Sequence, residues 1–261
     1  MKMADMAWSW SRLDVMRQCP YRFYLQFITK QPIEIDSIWM DIGGEVHQLA
    51  DWLVKSSGVT KKVSTREQIQ DKIQDLHTRY PDQVSLIDRA IDTLLSKITV
   101  DTSSITESEL SVSLDDNLLI VPWFSRQSFF RIKVDYIRLH VDSENSQLHI
   151  HIMDWKLGKK FVGCDQLEVY CSFVINKILE DFLSKHPGYV MPVDNITLEV
   201  VYLSSGESEK RVVSFDVLEE TRKRILDEIS VYSRLPELDP TPSPEKCSKC
   251  FYPTICKYSM T

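Results

Sequence analysis

The chain has 261 residues, 43% of them hydrophobic and 26% charged, a globular composition that excludes a disordered, fibrous or low-complexity chain. At roughly 150 residues per domain it has room for one large domain or two small ones. With 31 basic and 38 acidic residues the net charge is −7, so the global attraction to a polyanion that marks most nucleic-acid binders is missing.

From the N-terminus, MKMADMAWSWSRLD carries Asp5 and Asp14 and no continuous apolar core, unlike a secretory signal. Ser11, with Asp14 three positions on, opens a helix that runs to Ile28 and is interrupted or restarted at Cys19-Pro20. Helical spacing of Ile42, Val46, Leu49 and Leu53 predicts a helix over 41–55. Ile69, Ile73 and Leu76 predict another over 66–79, and Val84, Ile87, Ile91, Leu94 and Ile98 a third over 82–98. Residues 1–100 therefore read as a helical part. The period shortens at Glu107, where Leu110, Val112 and Leu114 alternate with serines, and strands are expected there and over 117–124, 128–141 and 147–156. The segment 143–147 makes the last two a hairpin. A helix over 165–183, strands over 196–204 and 210–217, and a helix over 218–232 complete a core spanning 105–232. The strands collect in the middle, which predicts an α/β fold with one mixed sheet flanked by helices. From Leu235 the prolines at 236, 240, 242 and 244 predict an extended strap that delivers a cysteine-bearing tail, 235–261. The longest apolar run, Leu118 to Phe124, is about a third of the ~20 residues a membrane-spanning helix needs, and the protein is expected in the cytoplasm without a membrane partner.

Nucleotide-binding loops of the G-x-x-x-x-G-K-[ST] and G-x-G-x-x-G kinds are absent. The informative residues lie on the predicted hairpin. Asp154 and Lys156, two apart on a strand, project from one face, and Asp135 interrupts an apolar run on the neighbouring strand. Two carboxylates from adjacent strands can share a hard divalent cation. Taken alone, D-x-K also describes an ordinary surface ion pair. Gln166 and Tyr170, spaced i, i+4 on the next helix, share a face that leans over the same site. His47 follows Gly43-Gly44 one turn into the second helix, a position equally open to a surface or core histidine.

Taken together, these motifs resemble the PD-(D/E)xK nucleases, and within them the RecB-type branch that includes the nuclease domain of AddB and the CRISPR-associated adaptation nucleases. The likeness runs in order through S-x-S-R-L and C-P-Y-R-F at 9–23, G-x-x-x-H at 43–47, Asp135 in IKVDYI, D-W-K at 154–156, Q-x-x-x-Y at 166–170 and C-x-x-C-x5-C at 247–256. One position departs from the branch, which commonly has a glycine where Ile132 stands. The resemblance implies a single nuclease domain over 1–261. It implies a divalent ion, Mn2+ or Mg2+, held by His47, Asp135, Asp154 and the backbone carbonyl of Trp155. Lys156 would orient or deprotonate the attacking water and stabilise the pentavalent phosphate, while Gln166 and Tyr170 would position the strand or the Lys156 amine. Oxygen ligands suit both ions, and one imidazole tilts the preference towards manganese. A bound cation with Arg12, Arg17, Arg22, Lys159 and Lys160 would make an attractive groove within an acidic protein.

The resemblance also implies a 4Fe-4S cluster on Cys19, Cys247, Cys250 and Cys256, with zinc on the same thiolates as the alternative. Cys164 and Cys171 read as buried residues. The implied activity is metal-dependent hydrolysis of DNA, as an exonuclease on single-stranded ends. Helicase motifs are absent, so unwinding would come from a helicase, recombination or CRISPR partner. The alternative is a catalytically idle DNA-binding or assembly subunit on the same fold.

Overall fold

A computed structural model describes residues 6–33, 38–60, 65–98, 104–141, 147–158, 163–185, 196–235 and 237–260. Helices α1 (Trp10–Gln18), α2 (Pro20–Phe23), α3 (Ile38–Thr60), α4 (Gln70–Arg79) and α5 (Val84–Lys97) precede strands β1 (Ser104–Leu114), β2 (Ile120–Val121), β3 (Phe130–Val141) and β4 (Leu148–Lys156). Helix α6 (Asp165–Lys185), strands β5 (Ile196–Tyr202) and β6 (Glu207–Val213), and helices α7 (Phe215–Ser233) and α8 (Pro244–Ser248) follow. The strand order is β2-β1-β3-β4-β5-β6. β3 and β4 are antiparallel, β4 and β5 parallel, β5 and β6 antiparallel. This is the mixed α/β sheet the pattern predicts.

The chain divides into two compact units, one of residues 1–36, 111–132 and 222–261, the other of 37–110 and 133–221. In the second unit, α3, α4 and α5 bury Ile42, Val46, Leu53, Ile73, Ile87 and Ile91 in a core with Tyr136, Met153, Trp155 and Val201 from the sheet. Helix α6 lies along β4 and β5. The parallel β4–β5 pairing requires such a crossover, because a tight turn can join only antiparallel strands.

In the first unit, α1 is capped by Ser9 and ends at Cys19, whose extended backbone (φ −164°) lets Pro20 start α2 as a first-turn residue. The helix break read at Cys19-Pro20 is therefore real, and α2 runs on as a π-turn over Tyr24–Ile28. Trp8 stacks on Phe23 and Tyr232, and Arg17 grips Glu228 with two 2.6 Å hydrogen bonds.

Three expectations fail locally. The hydroxyl that opens α1 is Ser9, which accepts the Arg12 N–H, and Ser11 lies inside the helix. The strand predicted over 117–124 shrinks to Ile120–Val121, because Leu118 adopts a left-handed φ of 61° and Pro122 cannot donate to a ladder. The tail is not wholly extended, since Ser243 caps the short α8 and Pro244 occupies its first turn. The hairpin connection at 143–146 and the groove candidates Lys159 and Lys160 lie outside the described residues.

Candidate active site

Strand β4 carries the centre of the site. The β3–β4 ladder runs from Val141↔Leu148 to Tyr136↔Met153. Beyond it, the Asp135 carboxylate takes over, accepting the Trp155 N–H through Oδ2 at 2.8 Å. That bond fixes Asp135, 8% exposed, beside Asp154, 4% exposed. Lys156 Nζ lies 2.8 Å from Asp154 Oδ2, as the two-residue period of a strand requires. Burial pushes the Asp154 pKa up to about 6, the Lys156 ammonium opposes this, and the Asp135 charge adds to it.

His47 enters from α3. Its Nε2 lies 3.1 Å from the Trp155 carbonyl oxygen, and its Nδ1 lies 3.5 Å from Asp135 Oδ1 and 3.7 Å from Glu109 Oε1. Burial works against the imidazolium, but the neighbouring Asp135 and Glu109 carboxylates outweigh it and hold the pKa up at about 10. On α6, Gln166 Oε1 accepts from Lys156 Nζ at 3.3 Å. Burial raises the Tyr170 hydroxyl to about 12, with the Gln166 hydrogen bond working the other way. Short contacts thus link His47, Asp135, the Trp155 backbone, Asp154, Lys156 and Gln166 within the second unit, with Tyr170 one turn beyond Gln166 on α6.

Glu109 was not singled out in the sequence. It forms a group with His47 and Asp135 that could hold a metal ion, and it also pairs with Lys133. The alternation that identifies β1 assigns it to the polar face along with Glu107. What distinguishes it is a left-handed φ of 53°, a conformation costly for a non-glycine residue that re-aims its side chain.

Among the described residues, the ligand atoms of His47, Glu109 and Asp135 lie within 4.8 Å of one another and could hold a metal ion, and Asp154 is not part of that group. Asp154 Oδ2 is buried and receives no hydrogen bond, the Lys156 ammonium lying off the hydrogen-bonding direction.

The cysteines converge elsewhere. In the first unit, Cys19, Cys247, Cys250 and Cys256 line one cavity together with Arg22, Lys246 and Tyr258. All four are partly buried free thiols. Among the described residues no three of their sulfurs lie within 4.8 Å of one another. The strap is tied to the front of the chain by Thr241 Oγ1, which donates to the Gln18 carbonyl at 3.1 Å, and by the Tyr252 hydroxyl, which donates to the Gln31 carbonyl at 3.3 Å. Cys164 and Cys171 are fully buried, and burial pushes both thiols up. Of the arginines proposed for a groove, Arg17 is committed to Glu228, and Arg22 donates to Gln18 and stacks on Phe251.

Among the described residues, no helix is long and apolar enough to cross a membrane. No curated protein matches the chain. A solved structure titled "Crystal structure of SSO0001" is similar at 12% identity and a TM-score of 0.32, covering 82% of this chain and 98% of that one. The model of the PD-(D/E)XK nuclease superfamily matches residues 7–257. That match spans nearly the whole chain and includes every residue of the pocket, and the chain belongs to the PD-(D/E)XK nuclease superfamily, whose members are generally metal-dependent nucleases.

Proposed function

We propose that the protein is a divalent-metal-dependent deoxyribonuclease, acting as an exonuclease on single-stranded DNA ends and stabilised by a 4Fe-4S cluster. The observation that carries the hydrolytic reading is the meeting of His47, Asp135, Asp154 and the Trp155 carbonyl beside Lys156. Those four groups would hold Mn2+ or Mg2+, which, when bound, lowers the pKa of a coordinated water and neutralises charge on the phosphate. The Trp155 N–H fixes the Asp135 carboxylate, which would be one of the ligands. Lys156 orients the attacking water and donates to the phosphoryl oxygens as negative charge develops there. Gln166 holds the Lys156 amine in place, and Tyr170 supports Gln166 from the same helix face.

For the cysteines, the shared cavity supports a cluster on Cys19, Cys247, Cys250 and Cys256. Arg22 and Lys246 in the cavity wall offset the negative charge of a four-thiolate cluster.

The test is an anaerobic assay on end-labelled single- and double-stranded DNA with added manganese or magnesium. Mononucleotide release from single strands, abolished by a chelator and restored by manganese at least as well as by magnesium, is the expected result. Internal fragments as the first products would overturn the exonuclease reading, and absence of any metal-dependent cleavage would favour the idle subunit. A brown protein containing about four irons per chain is expected from anaerobic purification; a colourless zinc protein would overturn the cluster.

A further inference from the structure

The two most exposed large apolar side chains among the described residues, Phe124 and Leu119, stand on the segment between β1 and β3, within the first unit, and Ile120 follows Leu119 in sequence. Phe124 is 88% exposed, Leu119 64% and Ile120 50%. Their display is held by a built scaffold. Asp115 Oδ1 accepts the Asn117 and Leu119 N–H groups at 3.0 and 2.8 Å, and Leu118 takes its left-handed conformation between them. The Ser125 N–H donates to the Pro122 carbonyl at 2.8 Å, which places Phe124 in a tight turn. A buried 2.5 Å bond between the Ser113 and Ser128 hydroxyls closes the base of the loop. Backbone strain that holds apolar side chains in water has no role in the protein's own core, and exposed patches of this kind mark binding surfaces.

The charges beneath the loop indicate what binds. The Arg131 guanidinium lies 5.5 Å from the Trp123 ring centroid and donates to Ser128 Oγ at 3.0 Å. Arg12, over the Phe27 ring, donates to the Ala7 carbonyl. The Arg131 backbone N–H donates to the Trp8 carbonyl at 2.8 Å, next in sequence to the Ala7 carbonyl that the Arg12 guanidinium holds. Among the described residues, neither guanidinium makes an ion pair with a carboxylate, in contrast to Arg17 on Glu228. Arg126 adds an exposed cation to the loop. Of the loop's acids, Asp115 is turned into its own backbone and Asp116 meets the Asn117 amide at 3.1 Å. Two neighbouring cations without an acid form a seat for an anion.

We propose that this loop is a binding site for a single-stranded polynucleotide, with Arg12 and Arg131 receiving a backbone phosphate and a base stacking on Phe124 between Leu119 and Ile120. Apolar surface alone would serve a protein partner equally well, but such a partner gives no reason for the paired guanidiniums. Base–aromatic stacking tolerates every base, as a nuclease that processes strands of any sequence needs. The assignment of a polynucleotide rests on the nuclease reading of the chain.

The experiment measures fluorescence anisotropy of a labelled 20-nucleotide single strand on the full-length Asp154→Asn protein, which leaves the strand intact. Adding Phe124→Ala should weaken binding about tenfold without moving the thermal midpoint, since the ring is almost wholly in water. Adding Arg131→Gln should flatten the salt dependence of log K by about 0.7, the slope of one phosphate contact on a single strand. Phe124→Ala in the otherwise wild-type protein should leave hydrolysis of bis(p-nitrophenyl) phosphate unchanged, because that small diester reaches no loop. Unaltered strand affinity in the Phe124→Ala background would overturn the proposal. So would loss of self-association in Phe124→Ala at unaltered strand affinity, which would assign the patch to a protein interface. Failure of the wild-type protein to cleave either substrate, with Phe124-dependent strand binding intact, would overturn the nuclease reading and leave the strand site standing.

Discussion

Asp154 and Lys156 stand on a strand hydrogen-bonded to neighbours on both sides, and their companions Asp135 and His47 are fixed through the backbone of Trp155. Cys247, Cys250 and Cys256 stand instead on a short capped helix and the local turns after it, such as the 2.9 Å bond from the Cys256 N–H to the Tyr252 carbonyl. The fourth thiol, Cys19, sits at a helix break. Sheet backbone can assemble a site before any ion arrives, while turns and caps bring thiols to the same cavity and leave their final spacing to whatever binds. Rate should therefore depend on the first group with little effect on stability, and stability on the second.

The largest expected effect breaks the first half of that contrast. Asp154→Asn and Lys156→Ala should each lower cleavage on the order of a thousandfold, the scale of losing one charge-stabilising group in a reaction centre. The thermal midpoint of metal-free Asp154→Asn should be no lower than that of the wild type at pH 7.5. The reason is the sign of the shift: a carboxylate whose pKa is raised on folding, here to about 6, destabilises the fold above that pH, and the amide removes this penalty. Wild-type rates in both variants, measured on end-labelled DNA, would dissolve the assignment.

Next in size is Cys19→Ser, which should release iron and melt early. A cross-link from Cys19 to the tail closes a loop of about 230 residues, and the chain-entropy model for a disulfide gives roughly 5 kcal/mol for such a loop. Metal binding that favours only the folded chain adds to stability in the same direction. Cys164→Ser and Cys171→Ser should keep full iron, because burial rather than ligation accounts for both thiols. Iron content, acid-labile sulfide and melting temperature of the six single variants check this. Iron retained in Cys19→Ser and lost in Cys164→Ser would reverse the ligand set.

A third measurement sharpens the boundary between ligands and their supports. Gln166→Ala and Tyr170→Phe should lower the rate about tenfold while leaving manganese affinity within twofold by titration, since both residues act through the Lys156 amine. Release of the metal by either change would place α6 among the ligands.

The two regions were unequally legible in the sequence. The pocket residues follow from the strand period, which puts Asp154 beside Lys156, and from the helix period, which puts Gln166 over Tyr170. Both are local rules that burial does not override. The joining of Asp135 to Asp154 follows from the hairpin register, again a short-range constraint. The strand expected over 117–124 failed because alternation and apolarity describe side chains, whereas the left-handed Leu118 and the Pro122 turn are backbone decisions. Those same features produce the exposed Phe124, so the error in the fold and the unread surface have one cause. Glu109 was missed for a related reason: the sequence assigns it a face of β1, and its backbone conformation turns it from that face.

The smallest expected effect concerns that residue. Glu109 lies close enough to His47 and Asp135 to share an ion with them, yet it is also paired with Lys133, and these roles differ in what its charge does. As a ligand it would raise metal affinity, and Glu109→Gln should weaken manganese binding severalfold, with the rate at saturating manganese within about threefold of wild type because water activation stays with the other ligands. As only a partner of Lys133 and His47, it would leave manganese affinity unchanged on conversion to glutamine. Lys133→Met separates the two further: freeing a ligand from a competing ammonium should tighten the metal, whereas removing a mere surface partner should not. Manganese titration by water-proton relaxation on the three proteins reads both changes directly, and unchanged affinity in Glu109→Gln would confine the metal site to His47, Asp135, Asp154 and the Trp155 carbonyl.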